Sequence, residues 1–305
     1  MSRTLLTQIF PFLTPMRLWQ RKKWYYSKMR FDENRYSVTK EPLFPYELVC
    51  DKSLLINEHT GADIQYQYNK VHNLRLASEA VSRVVIRPGE TFSLWWLVRH
   101  ADKQEAYKDG LCVHSGKLVA VYGGGLCQLS NMLFWLFLHT PLTIVERHMH
   151  KVKEFPNPSA DDPCGVDATI LEGWIDLRVR NDTDEAMQIE LSMDNTHYYG
   201  RILVRCSPEK RYAVINRNLC YTNCDGKTYE SVDVIRQTTD AETGTLLAEE
   251  TLYNNTCEIG YEVEGIQALS PSTDRYPVTL HANHSEAKKG SFQSDKRFLN
   301  AYQSQ

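Results

Sequence analysis

In the stretch YNKVHNLRLASEAVSRVVI the apolar residues Val71, Leu74, Ala77 or Leu76, Val81 and Val84 or Val85 recur near helical spacing, while Arg75, Ser78, Glu79 and Ser82 fill another side. That period predicts an amphipathic helix. Arg87-Pro88-Gly89-Glu90 reads as the turn that ends it, and the apolar run TFSLWWLV that follows has strand length. Further on, GKLVAVYGGGLCQLSNMLFWLFLHT combines a strand-like LVAVY, three glycines and an unbroken apolar run from Met132 to Leu138. A run that short cannot span a bilayer. It predicts a buried core helix starting near Leu126 or Cys127, with the glycines turning the chain out of the strand.

After Pro141 the pattern becomes that of strands, in LTIVERHMHKV, DATILEG, WIDLRVRN and MQIELSM. The last two alternate, with Ile175, Leu177 and Val179, then Met187, Ile189, Leu191 and Met193, each set on a single face. Residues 181–185 between them predict a hairpin loop. SVDVIRQTTD and TLLAEETLY, around Glu242-Thr243-Gly244, predict a further strand pair that extends the β region to about residue 262. The expected fold class is α+β: a buried helix carrying Cys127, packed on a mainly antiparallel sheet, with a β-rich C-terminal extension. The expected division is an aromatic and basic lead-in over 1–64, a central domain over 65–200, the extension over 201–262, and a polar, mobile tail over 263–305.

Composition narrows the function. The 35 Lys and Arg nearly cancel the 38 Asp and Glu, for a net charge of -3, so charge gives no reason to expect a nucleic-acid partner. Eight cysteines in 305 residues fall far below the density of a disulfide scaffold and fit a reducing compartment. Cys220 and Cys224 are the one close pair, spaced C-x3-C, with no second pair at zinc-ribbon spacing; they read as loop thiols. The opening MSRTLLTQIFPFLTPMRLWQRKK resembles a signal peptide only superficially. Pro11 and Pro15 break its apolar stretch, and the stronger basic cluster follows that stretch instead of preceding it. It is expected to stay uncleaved, either docked on the core or, through residues 1–26 with Trp19 and Trp24, lying on an anionic membrane surface. The expected location is accordingly cytoplasmic or peripheral to a membrane.

The chemistry centres on Cys127. A thiol acts as a nucleophile in its thiolate form, and a helix N-terminus stabilises an anion. Gly123, Gly124 and Gly125 leave backbone amides unshielded for an oxyanion region, and Gln128 adds a side-chain donor. The ERHMHKV segment offers His148 and His150 as bases, placed by alternation on one face, and Asp167 in GVDATI is a carboxylate suited to orient a histidine. Arg147 and Glu146 suit binding a substrate carboxylate or fixing the histidine strand, with a surface ion pair as the plainer reading. Two other readings stay open: Cys127 as an inert buried thiol, and Cys127, His148, His150 and Asp167 as four zinc ligands. Trp95, Trp96, Phe134 and Trp135 read as core.

The segments YNKVHNLRLASEAV, RPGETFSLWWLV, YGGGLCQLSN, LTIVERHMH, GVDATI and DLRVRNDTDEAMQIEL, in this order over residues 65 to 195, resemble the VanW family. The resemblance implies an association with vancomycin (glycopeptide) resistance. Some larger, exported members are regarded as L,D-transpeptidases that cross-link peptidoglycan through the cysteine of a G-G-G-x-C-Q motif, here Cys127. By the same matching His148 and His150 correspond to the E-R-H-x-H pair and Asp167 to the D-A-T aspartate. The implied partner is a peptidoglycan peptide or precursor, and the implied thioester chemistry needs no cofactor. This sequence departs from those members in showing no clear export signal or wall-binding module, which points to a different acyl substrate or to an accessory, binding role.

Overall fold

The computed structural model describes residues 14–58, 60–114, 117–153, 163–224 and 226–261. In chain order the elements are α1 (Thr14–Phe31), β1 (Arg35–Tyr36), β2 (Tyr46–Leu54), α2 (Gln65–Val81), β3 (Val85–Ile86), β4 (Glu90–Ser93) and α3 (Leu94–Val98). The ribbon β5 (Asp109–His114) and β6 (Lys117–Tyr122), helix α4 (Cys127–Leu138), β7 (Thr143–Glu146) and β8 (Val152–Lys153) follow. Strands β9 (Arg178–Arg180), β10 (Met187–Met193), β11 (His197–Val204), β12 (Lys210–Cys224), β13 (Lys227–Asp240) and β14 (Leu246–Ile259) complete the described chain. They build sheets in the orders β1-β4-β9-β7, β2-β11-β10-β3 and β12-β13-β14-β8, beside the β5-β6 ribbon. Among the described residues only the β1–β4 and β8–β14 pairings are parallel. The fold is α+β with mainly antiparallel sheets and a β-rich C-terminal part.

Helix α4 is the centre of the core because its sequence, CQLSNMLFWLFL, is apolar on nearly every side. Leu129, Leu133, Phe134, Leu136, Phe137 and Leu138 are all buried, and the helix packs against β2 and β11. Each such side chain contributes about 1.5–3 kcal/mol by leaving water. The ring of Phe137 meets Phe92 of β4 edge-on, with centroids 5.0 Å apart, tying the helix to the first sheet.

Several local expectations are corrected. Helix α2 starts before Tyr68 and stops at Val81: Arg83 takes φ 70° and donates its amide to Ile189 O, so β10 recruits the following Val85–Ile86 as a strand. The TFSLWWLV run is a strand only to Ser93. There the Ser93 hydroxyl accepts the Trp96 amide (3.1 Å) and Asp176 accepts that of Trp95 (3.0 Å), which caps α3. Residues 181–185 do not form a hairpin, since β9 and β10 belong to different sheets; the Asn181 side chain shapes this crossing by donating to Ile86 O and Glu185 O. DATILEG contributes only isolated bridges, His148 to Thr169 and Leu171 to Ile175. Cys220 and Cys224 sit in β12 instead of a loop.

The lead-in is structural where it is described. β2 pairs along β11, so the expected boundary at residue 200 falls inside a strand of a sheet that the lead-in completes. Helix α1 docks on the domain. Arg21 donates to Gly173 O (3.1 Å) and lies over the Trp174 ring, Tyr25 donates to Asp176, and Tyr26 donates to Glu172 (2.8 Å). Its outer side leaves Trp19 and Trp24 exposed. Among the described residues no helix is long and apolar enough to cross a membrane. Residues 1–13 and the tail from 262 lie outside the described residues.

Candidate active site

The turn from β6 into α4 is built on close backbone approach. Gly123 and Gly125 have φ of 71° and 93°, in the left-handed region that a side chain disfavours. At Gly124 a Cβ would lie 2.2 Å from Gly110 O, and at Gly125 it would lie 2.3 Å from Lys70 Cγ. The glycines therefore let the chain pass between the β5–β6 ribbon and α2. Their amides, however, are not free for an oxyanion. Gly123 N–H donates to Lys108 O (3.1 Å), Gly124 N–H to Val121 O (3.0 Å), and Gly125 N–H to the Cys112 thiol. The expected Gln128 donor is also committed, with Nε2 bonded to Ser53 Oγ (2.9 Å) and Leu54 O (2.7 Å). The helix N-terminus itself supplies the remaining donors: among the described residues the amides of Leu126 and Cys127 meet no acceptor.

Cys127 thus occupies the first helical position, half-buried, with the helix dipole behind it. The His150 ring lies within hydrogen-bonding reach of its thiol. On the other side of the ring, His150 Nδ1 meets Asp167 Oδ2 at 2.7 Å, and the same oxygen accepts the His150 amide at 2.7 Å. With Nδ1 taken, Nε2 is the nitrogen left for sulfur. Burial of the ring works against its charge. The hydrogen bonds and charges of Asp167 and Cys127 outweigh that, and the imidazole is pushed up to about 10. Burial likewise opposes ionisation of Asp167, but His150 and Arg147 hold its carboxyl below the ordinary aspartate range.

The E-R-H-x-H run is not a continuous strand, and this separates the two histidines. β7 ends at Glu146, so alternation no longer governs His148 and His150. His148 Nε2 faces Glu146 Oε1 (3.2 Å), away from the Asp167 pair. Among the described residues no three His, Cys, Asp or Glu side chains gather as a metal cage, so the four-ligand set does not assemble. Arg147 spends its guanidinium inside the fold, on Asp167 O (2.6 Å), Gly165 O (2.8 Å) and Asn255 Oδ1 (2.9 Å), with Phe134 and Tyr253 flanking it. It acts as a clamp on the segment that carries Asp167, in place of the expected contact with substrate.

Three contributors escape the sequence reading. Ser130 Oγ donates to Ala168 O (2.5 Å) and Asn131 Oδ1 accepts the Ala168 amide (2.8 Å), so the L-S-N that follows the cysteine fixes Asp167 relative to α4. Asn255 of β14 completes the clamp from the C-terminal sheet. The L-S-N letters stood beside the cysteine and carried a signal; nothing near Asn255 did.

The VanW-like protein family model matches residues 69–203. The vancomycin B-type resistance protein VanW of Enterococcus faecalis (strain ATCC 700802 / V583) is 50% identical over 262 residues, covering 86% of this chain and 95% of its own. The chain belongs to the VanW family. A second relative, the uncharacterized protein YoaR of Bacillus subtilis (strain 168), is 32% identical over 121 residues, 40% of this chain and 38% of its own. No solved structure matches. This VanW-like protein therefore shares most of its length with a protein named for vancomycin resistance. Cys127, His150 and Asp167 all fall inside the span of the family match.

Proposed function

We propose that the chain serves in vancomycin resistance as a cysteine-dependent acyltransferase acting on peptidoglycan or its precursor peptides. The observation that supports this most is the line Cys127–His150–Asp167 at the N-terminus of a buried helix. Cys127 gives its proton to His150 Nε2 and forms a C–S bond to a peptide carbonyl carbon. The carbonyl oxygen takes the negative charge beside the amides of Leu126 and Cys127. As the amide C–N bond breaks, His150 returns the proton to the departing amine, leaving a thioester. An acceptor amine, deprotonated by the same imidazole, then attacks the thioester and restores the thiol; water in its place gives hydrolysis. Asp167 holds the ring in the required tautomer and supports its charge throughout.

Muropeptide analysis tests the reading, in cells lacking their own L,D-transpeptidases that express either the wild type or Cys127→Ser. New cross-links or trimmed peptides that vanish with the substitution support it. Identical profiles, together with no acyl adduct on Cys127 in intact-mass spectra of purified protein mixed with peptidoglycan peptides, overturn it and favour an accessory binding role.

A further inference from the structure

Helix α2 lays a polar stripe against the loop that presents Cys127, and all but one of its members are spent on backbone. Asn69 donates to Asp109 O (2.8 Å), His72 Nε2 meets Ala106 O (2.9 Å), and Asn73 donates to Lys108 O (2.8 Å) and Gly124 O (2.9 Å). Lys70 sits among them, its stem across Gly125, two residues before the nucleophile. Its ammonium has no hydrogen-bond or ion-pair partner among the described residues, and burial pulls it down to about 8. A half-buried ammonium with no protein partner, beside the loop that presents the nucleophile, is a candidate for an anionic ligand.

We propose that Lys70 is a substrate-binding residue whose ammonium receives the free carboxylate of a peptide acylating Cys127, which makes the substrate class peptides that end in an unblocked carboxyl group. The proposal rests on the reading of Cys127 as the nucleophile, and it predicts a preference that the thiol alone would lack.

Two measurements test it independently. In the first, purified full-length protein is pulse-labelled at pH 8 with a trace amine reagent, and Lys70 modification is mapped by mass spectrometry. N-acetyl-D-alanine should protect Lys70 several-fold where N-acetyl-D-alaninamide does not; equal effects of acid and amide overturn the proposal. In the second, Cys127 is alkylated in parallel with iodoacetate and iodoacetamide. The iodoacetate-to-iodoacetamide rate ratio should fall several-fold in Lys70→Met, recover in Lys70→Arg, and decline in the wild type as pH rises through 8. The thiol is common to both reagents, so the ratio isolates the ammonium. A ratio that Lys70→Met leaves unchanged overturns the proposal. Should neither reagent label Cys127, the cysteine mechanism fails instead, and the protection experiment alone decides whether a carboxylate site exists. A merely structural lysine predicts a lower melting temperature for Lys70→Met, whereas relief of an unpaired, half-buried cation predicts an equal or higher one.

Discussion

The five residues from Glu146 to His150 divide between two carboxylates, and the two are unlike. Asp176 has no exposed side-chain surface and accepts from Ser93, the Trp95 and Leu177 amides, Arg178 and Tyr25, the last reaching in from α1. Glu146 joins this group by accepting the Asp176 amide (2.8 Å) and facing Arg178, and His148 follows it. Asp167 keeps 31% of its side chain exposed, and its partner is a titratable ring that also touches a thiol. A carboxylate saturated by donors that cannot lose their protons near neutral pH holds elements together. One whose main donor can pass a proton onward supports chemistry.

The largest effect expected from breaking this contrast is at Asp176. Asp176→Ala leaves the largely buried Arg178 guanidinium with Glu146 as its one carboxylate and strips the Trp95 and Leu177 amides of their acceptor, and removing one partner of a buried pair costs about 3–5 kcal/mol. Urea titration should show a loss of that size, and thermal unfolding a clear fall in Tm. An unchanged denaturation midpoint would mean that α1, β4 and β9 are held by something else.

Next in size is Asp167→Asn, where the fold should persist and the chemistry should not. The substitution keeps a polar group of the same shape but removes the charge that supports the His150 imidazolium. A hydrogen bond to a charged group contributes about 1.5–3 kcal/mol, so alkylation of Cys127 at pH 7 should slow by about 10- to 100-fold. If Asp167→Asn instead unfolds the protein as readily as Asp176→Ala, the two carboxylates play one structural role and the contrast collapses.

These variants also separate what could be read along the chain from what could not. The placement of Cys127 was legible because a glycine turn followed by an apolar run has few other solutions, and Asp167 because a carboxylate among apolar residues needs a partner. The choice between histidines was hidden in where β7 stops, which depends on pairing with β9 about 30 residues later. The commitment of the glycine amides was hidden for the same reason, since Gly110 and Gly124 meet only when the ribbon folds back. Nothing along the chain sets Lys70 apart from the other polar residues of α2. Its isolation becomes visible only once Asn69, His72 and Asn73 have found their acceptors. The crossing at 181–185 misled because adjacency in sequence favours a hairpin, whereas β9 and β10 find partners in different sheets.

The pH dependence sharpens the comparison with a smaller effect. His150 is raised from its ordinary 6.5 to about 10, so the stability gained from its charge is fully present below 6.5 and is lost as pH rises through 10. Asp167 is depressed, so its share is present above the ordinary carboxylate range and is lost only in acid. The difference in Tm between wild type and Asp167→Asn should therefore form a plateau near pH 5–6.5 and shrink steadily toward pH 10. A gap that is constant from pH 6 to 10 would show that His150 carries no raised proton affinity in the folded state.

The smallest effect is expected at His148, and it is the sharpest test of the division. Its side chain is 43% exposed and among the described residues has a single partner, Glu146, so His148→Ala should cost about 0.5 kcal/mol or less. Because Glu146 keeps Arg178 and the Asp176 amide, the Asp176 group should hold together without the histidine. The thiol should not register the change either: alkylation of Cys127 in His148→Ala should stay within about twofold of wild type, while His150→Ala slows it like Asp167→Asn. Equal slowing in both histidine variants would mean that the ring of His148 swings to the sulfur in solution, and that the run from Glu146 to His150 serves one site.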